Sequence, residues 1–174
     1  KRNMANKLGV GFREIASIEE GLTADGIIVQ LPYPGSPELI QKIPPSKDVD
    51  GLRADSPYQP AVVRAVREIL KSSKAQGKIV GGGSRGFVGS KLVAELGCEG
   101  MDIDDFDPST LLRASVIISC TGQGGLIKPE MVKEGIVAID VGYPQAEFTP
   151  AALAKASWYT PVPGGVGPVT VVML

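Results

Sequence analysis

Short apolar runs alternate with amphipathic stretches along the whole chain. The runs at 25–31 (DGIIVQL), 77–83 (GKIVGGG), 115–120 (SVIISC), 135–142 (GIVAIDVG) and 156–161 (ASWYTP) are β-branched and nearly unbroken. That is the composition of strands covered on both faces. Helix signals fall between them. Ser36 before Pro37, and Thr149 before Pro150, pair an N-cap side chain with proline at the first helical position. Pro60 opens a longer helix with Val62, Val63, Val66, Ile69 and Leu70 on one face, and Leu92, Val93 and Leu96 form a second stripe that Gly97 ends. Strand–helix alternation of this kind predicts an α/β fold with a parallel sheet. The proline-rich stretch DSPYQP (55–60) marks a boundary between two lobes. One stretch, TPVPGGVGPVT (160–170), fits neither period: proline and glycine alternate in it, which predicts a closely shaped loop almost bare of side chains.

Composition narrows the chemistry. Eighteen basic and nineteen acidic residues leave a formal charge of −1 over 174 residues. Neither a nucleic-acid footprint nor a polybasic membrane segment is present, so neither a nucleic-acid nor a membrane partner is expected. The absence of histidine excludes Ser-His-Asp and Cys-His catalysis and most zinc sites, so no metal is expected. Cys98 and Cys120 read as free thiols of a reduced, cytoplasmic protein. No apolar run reaches membrane-spanning length, and no signal peptide is seen. Starting at Lys1 and stopping at VTVVML, the chain reads as a piece of a longer protein.

The segment GGGSRGFVGSKL (81–92) follows a strand and enters a helix. Gly81, Gly83 and Gly86 fit G-x-G-x-x-G, and Gly83, Gly86 and Gly89 offer a second register. Either lets bare backbone approach a pyrophosphate at a helix N-terminus; the alternative is a merely tight turn. About twenty residues on, where such folds place a ribose-binding acid, lies MDIDDFD (101–107). Asp104 or Asp105 there favours NAD, whereas Arg85 in the turn is suited to the 2′-phosphate of NADP.

Four stretches taken in order, DGIIVQLPYP (25–34), PPSKDVDGL (44–52), TGQGGLIKPEMVKEGIVAIDVG (121–142) and TPVPGGVGPVT (160–170), closely resemble the methylenetetrahydrofolate dehydrogenase/cyclohydrolase family. The resemblance runs over essentially the whole chain. It implies a small α/β catalytic, folate-binding domain (1–56), a Rossmann-like NAD(P)-binding domain (57–160), and a segment (161–174) returning to the first, with folate in the cleft between them. It also implies a cytoplasmic homodimer. Lys1 falls at the family's catalytic lysine, Gln30 at the glutamine that holds it, and Asp50 at the aspartate that grips the pterin. Leu31, Pro32, Pro163, Gly164, Gly165, Gly167 and Thr170 fall on the substrate side, Thr170 either touching ligand or capping the next helix. Gly83, Ser84, Arg85, Gly86, Val88, Gly89, Asp104, Asp105, Thr121 and Gly122 fall on the cofactor side. The family's tyrosine one helical turn before the lysine would precede Lys1. Departures cluster on the cofactor side: the turn lacks the usual G-R-S-x-x-V-G, and acids stand where the family has His-Ser.

These residue types suit the implied reaction, oxidation of methylene-tetrahydrofolate and hydrolysis of the methenyl product to 10-formyl-tetrahydrofolate. A carboxylate accepts two adjacent pterin N–H donors at once, which suits Asp50. The plainer reading of Asp50 is an Asx-turn before Gly51. Proton transfer by a lysine requires desolvation or a nearby cation to bring it toward neutrality, and a neutral glutamine orients an ammonium without locking its charge. Two alternatives stand beside this reading: a dehydrogenase without hydrolase activity, and a catalytically silent nucleotide-binding relative.

Overall fold

The structure, a computed structural model, describes residues 1–31 and 33–174. The chain forms two compact units, residues 1–61 with 171–174, and residues 62–170. The divisions fall at 61/62 and 170/171, so residues 161–170 group with the second unit and 171–174 with the first.

In the first unit, α1 (Arg2–Leu8) ends at Gly9 in the left-handed conformation. Two short helices follow, α2 (Ile18–Gly21) and α3 (Ser36–Lys42). Gly35 is the N-cap of α3 and Ser36 lies inside it, without a side-chain cap. The predicted strand at 25–31 does not form. Ile27 makes one isolated parallel bridge to Asp48, and its N–H donates to the Lys47 carbonyl at 2.7 Å. The reason is its neighbour: Pro44 and Pro45 drive 45–47 into a 3-10 turn, which offers no extended edge to pair with. Alternate residues still turn inward, and Ile27 and Val29 join Ile18, Ile40, Ile43 and Leu52 in this unit's core.

The second unit is built on a five-stranded, all-parallel sheet in the order β2-β1-β3-β4-β5. Its strands are β1 (Ile79–Gly82), β2 (Glu99–Met101), β3 (Val116–Ser119), β4 (Ile136–Asp140) and β5 (Ala156–Tyr159). Every residue of β3 and β4 is buried, as expected for central strands with both faces covered. The helices are α4 (Ala61–Ser73), α5 (Phe87–Leu96), α6 (Pro108–Arg113), α7 (Pro150–Leu153) and α8 (Val166–Val172). The buried face of α4 carries Ala61, Val63, Ala65, Val66 and Ile69, each larger side chain contributing roughly 1.5–3 kcal/mol of burial. Thr149 caps α7, its hydroxyl accepting from Ala152 N–H at 3.3 Å. Gly97 ends α5 at φ 59°. The prediction of pure loop at 160–170 is half right: 161–165 is irregular, but Val166 starts a helix that tolerates Pro168 in its first turn.

Candidate active site

The chain runs from β1 outward to β2, then crosses back to β3 on the other side of β1. This reversal is a topological switch point, and parallel sheets bind ligands there, beyond the carboxyl ends of the strands. Two turns meet at it, 83–86 after β1 and 120–125 after β3.

The first turn uses the second of the two glycine registers; Gly81 lies inside β1. Gly83 has φ +79°, and a Cβ added there would stand 2.5 Å from the Cys120 carbonyl oxygen. Gly86 caps α5, whose first turn carries no acidic side chain. A Cβ at Gly89 would meet the Gly83 carbonyl oxygen at 1.9 Å. Only glycine lets helix, turn and the β3 end approach so closely. Ser84 donates its N–H to the Met101 carbonyl, 3.0 Å away, which ties the turn to β2. Val88 is half-buried in the first turn of α5.

Acids surround Arg85. Asp102 accepts its backbone N–H at 2.8 Å and lies 3.7 Å from its guanidinium, while Asp104 and Asp105 lie at 3.3 and 3.4 Å. Asp104 and Asp105 occupy a 3-10 turn, Ile103–Asp105, closed by a reciprocal capping box between Asp102 and Asp105. The backbone N–H groups of Arg85 and Ile103 hold the Asp102 carboxyl below its ordinary range. Sequence reasoning named 104 and 105 but missed Asp102, although the D-x-x-D spacing of a capping box was there to read.

The second turn rests on a residue that the sequence did not single out. Glu147, 1% exposed, accepts from Thr121 N–H at 2.8 Å, the Thr121 hydroxyl at 2.6 Å, Gly122 N–H at 2.8 Å and the Ser119 hydroxyl. Thr121 and Gly122, expected to face the cofactor, therefore give these donors to Glu147. Asp140, at the end of β4, is the neighbouring carboxylate. It accepts from the N–H groups of Glu147, Gly142 and Phe148 at 2.7, 2.9 and 3.2 Å. Burial raises the Asp140 carboxyl, and the charge of Glu147 adds to the rise. Burial also pushes the Cys120 thiol up to about 12, so it stays protonated, donating to the Gly82 carbonyl at 2.9 Å. An aspartate ending an apolar run was a legible signal. Glu147 was not, because the 143–148 loop reaches β3 only through the tertiary fold.

In the first unit, Lys1 and Asp50 come together, Nζ to Oδ2, at 3.5 Å, with side chains 20% and 13% exposed. Gln30 is exposed and donates its amide to the Leu31 carbonyl at 3.0 Å; the lysine's partner is the aspartate. Asp48 of the same KDVDG stretch is fully buried, one oxygen accepting from Arg53 N–H at 2.7 Å. Its other oxygen has no hydrogen-bond partner among the described residues. Gly51 (φ +67°) is pressed against the 58–60 backbone, where a Cβ would meet Gln59 C at 2.6 Å. An open groove of ≈ 580 Å³ is lined by Leu31, Tyr33, Pro34 and Ser36; Pro32 lies outside the described residues. In the second unit, Pro161, Pro163, Gly164, Gly167 and Pro168 are exposed and Gly165 half-buried, a surface poor in side chains. Thr170 does not cap a helix: it lies within α8, its hydroxyl donating to the Val166 carbonyl at 2.9 Å.

Residues 60–174 match the family model described as tetrahydrofolate dehydrogenase/cyclohydrolase, NAD(P)-binding domain. The whole chain aligns with the bifunctional protein FolD of Xanthomonas euvesicatoria, 34% identical over 222 residues and covering 73% of that protein. The chain belongs to the tetrahydrofolate dehydrogenase/cyclohydrolase family. Among solved structures, the bifunctional FolD methylenetetrahydrofolate dehydrogenase/cyclohydrolase of Campylobacter jejuni superposes with TM-score 0.75 at 30% identity, covering 86% of this chain and 64% of that one. The Trypanosoma brucei FolD enzyme, complexed with NADP and an inhibitor, gives TM-score 0.72 at 28% identity, covering 90% of this chain and 66% of that one. This chain thus spans just under two thirds of the length of each of those two chains.

Proposed function

We propose that this FolD-family chain oxidises methylene-tetrahydrofolate with NAD and hydrolyses the methenyl product to 10-formyl-tetrahydrofolate. The observation that carries the dinucleotide half is the close-packed glycine turn between β1 and α5, where a Cβ at Gly83 or Gly89 would collide with backbone, set at the switch point of a parallel sheet. The turn fits the cofactor: it leads into the N-terminus of α5, where the N–H groups of a helix's first turn and the helix dipole favour phosphate. When bound there, the nicotinamide dinucleotide supplies the hydride acceptor. The cluster around Arg85 supports NAD over NADP. Three carboxylates against one guanidinium leave a net negative patch, which attracts ribose hydroxyls and repels a 2′-phosphate.

Lys1 and Asp50 support the folate half. Asp50 carries the acceptor pair that pterin N–H donors require, and it is also the group that holds the Lys1 ammonium. Pterin donors drawing on the same carboxylate weaken its grip on Lys1. Released from that grip, the Lys1 amine moves a proton to and from the attacking water. We assign Gln30 to orienting Lys1 once its amide swings from the Leu31 carbonyl.

The test is absorbance-monitored dehydrogenase activity with both dinucleotides, alongside nucleotide-free hydrolysis of methenyl-tetrahydrofolate. NAD is expected to give the higher kcat/KM, Lys1→Ala to abolish hydrolysis, and Asp50→Ala to raise the folate KM sharply. Equal or better use of NADP refutes the cofactor assignment; full hydrolysis by Lys1→Ala removes Lys1 from the mechanism.

A further inference from the structure

Packing alone does not account for Glu147. It is 1% exposed, and among the described residues neither it nor neighbouring Asp140 has an ion-pair partner. A buried carboxylate with no counter-cation is destabilising unless donors saturate it. Here they do. Four donors converge, three on Oε2 (the Ser119 hydroxyl and both donors of Thr121) and one on Oε1 (Gly122 N–H). An ionised carboxylate, acceptor-only with about four lone-pair sites, matches that set. Three of the four donors belong to Thr121 and Gly122, the start of the turn after β3. The same backbone carries the β1 turn: a Cβ at Gly83 would lie 2.5 Å from the Cys120 carbonyl oxygen and 3.0 Å from Thr121 N.

We propose that Glu147 is a positioning residue of the nucleotide face, fixing Thr121 and Gly122, and through Cys120 the Gly83 turn, in the geometry that dinucleotide binding requires. This rests on the reading that the second unit binds NAD(P). A glutamine keeps the volume of the side chain but turns an NH₂ toward one or more of the four donors, so donor faces donor and the turn shifts. A shift of about 1 Å is enough to lose on the order of a hundredfold in a preorganised site.

The experiment uses the full chain with Glu147→Gln, read by fluorescence titration with NAD and by the KM for each substrate. Expected are a dissociation constant and KM for NAD raised at least about tenfold, a folate KM within about twofold of wild type, and nucleotide-free hydrolysis retained. Unchanged NAD affinity overturns the proposal. So does parallel loss of NAD binding and hydrolysis, the signature of a merely structural role. Should Glu147→Gln fail to fold, Ser119→Ala, which removes one donor from the same carboxylate, carries the same test: weakened NAD binding with hydrolysis retained supports the proposal, and unchanged NAD affinity or parallel loss of both overturns it. A wild-type chain that binds neither NAD nor NADP overturns the underlying reading and this inference with it; a wild type that binds and a variant that binds equally well overturn this inference alone.

Discussion

Replacing Gly89 by alanine tests the glycine position with least room for a side chain among the described residues. The new Cβ would stand 1.9 Å from the Gly83 carbonyl oxygen, 2.6 Å from its carbon and 3.0 Å from the Cys120 sulfur. Carbon–oxygen contact needs about 3.3 Å, so α5 and the turn must separate by roughly 1.4 Å. Two of the three obstacles are backbone, which cannot swing aside as a side chain can. Overpacking of this kind costs about 1–3 kcal/mol. For a chain of this size each kcal/mol lowers Tm by about 2–4 °C, so a fall of several degrees is expected. On the proposed reading the functional loss should exceed the stability loss, because the displaced turn leads into the helix N-terminus assigned to the pyrophosphate; NAD affinity should fall by about a hundredfold. Differential scanning calorimetry and NAD titration measure the two effects. A variant with wild-type Tm and NAD affinity would refute the claim that helix, turn and strand end are locked together here.

Other expectations follow from the same geometry. Gly51→Ala imposes a side chain at φ +67° and a contact of 2.6 Å with the 59–60 backbone, so it should lose about 2–5 kcal/mol in urea denaturation. Burial raises the Asp140 carboxyl in the folded chain. Its contribution to stability is therefore full below the ordinary carboxylate value and lost as pH rises through the raised one. Asp140→Asn should accordingly flatten the pH profile of the unfolding midpoint above roughly pH 4, whatever its absolute stability. Asp102 and Asp107 are shifted downward by hydrogen bonds from backbone N–H groups and the Ser109 hydroxyl; they have the opposite sign, stabilising above the ordinary value and losing that effect as pH falls through the depressed one. Removing two of the acids around Arg85, with Asp104→Ser and Asp105→Ser, should raise the NADP-to-NAD ratio of kcat/KM by about tenfold; an unchanged ratio would remove the acids from cofactor choice.

What could be read from the sequence was what local chemistry dictates. Four of the five expected strands form, three of them (β1, β3 and β4) in Ile/Val-rich runs that require no partner to be recognised, while β2 (EGM) lacks strand composition and was not expected. The caps at Thr149 and Gly97 follow from residue type, and the glycine turn from spacing. The failures are tertiary. Residues 25–31 have strand composition but face a proline-opened turn, and composition does not say who the neighbour is. Gln30 and Asp50 were assigned separate roles from motif position alone, and only folding shows that Asp50 is the residue paired with Lys1. Glu147 sits in the ordinary-looking stretch PQAEF, and its four donors come from residues 119–122.

Asp104 is 89% exposed and Asp105 58%, on a turn closed by the capping box between 102 and 105, whereas in the glycine turn beside them a Cβ at Gly83 or Gly89 would collide with backbone. On the proposed reading, preference between dinucleotides and the capacity to bind one are therefore written in different materials. The first can drift through surface substitutions that barely touch the fold, while the second is fixed by backbone in contact with backbone. Lineages built on this plan should exchange one redox carrier for the other far more readily than they abandon both.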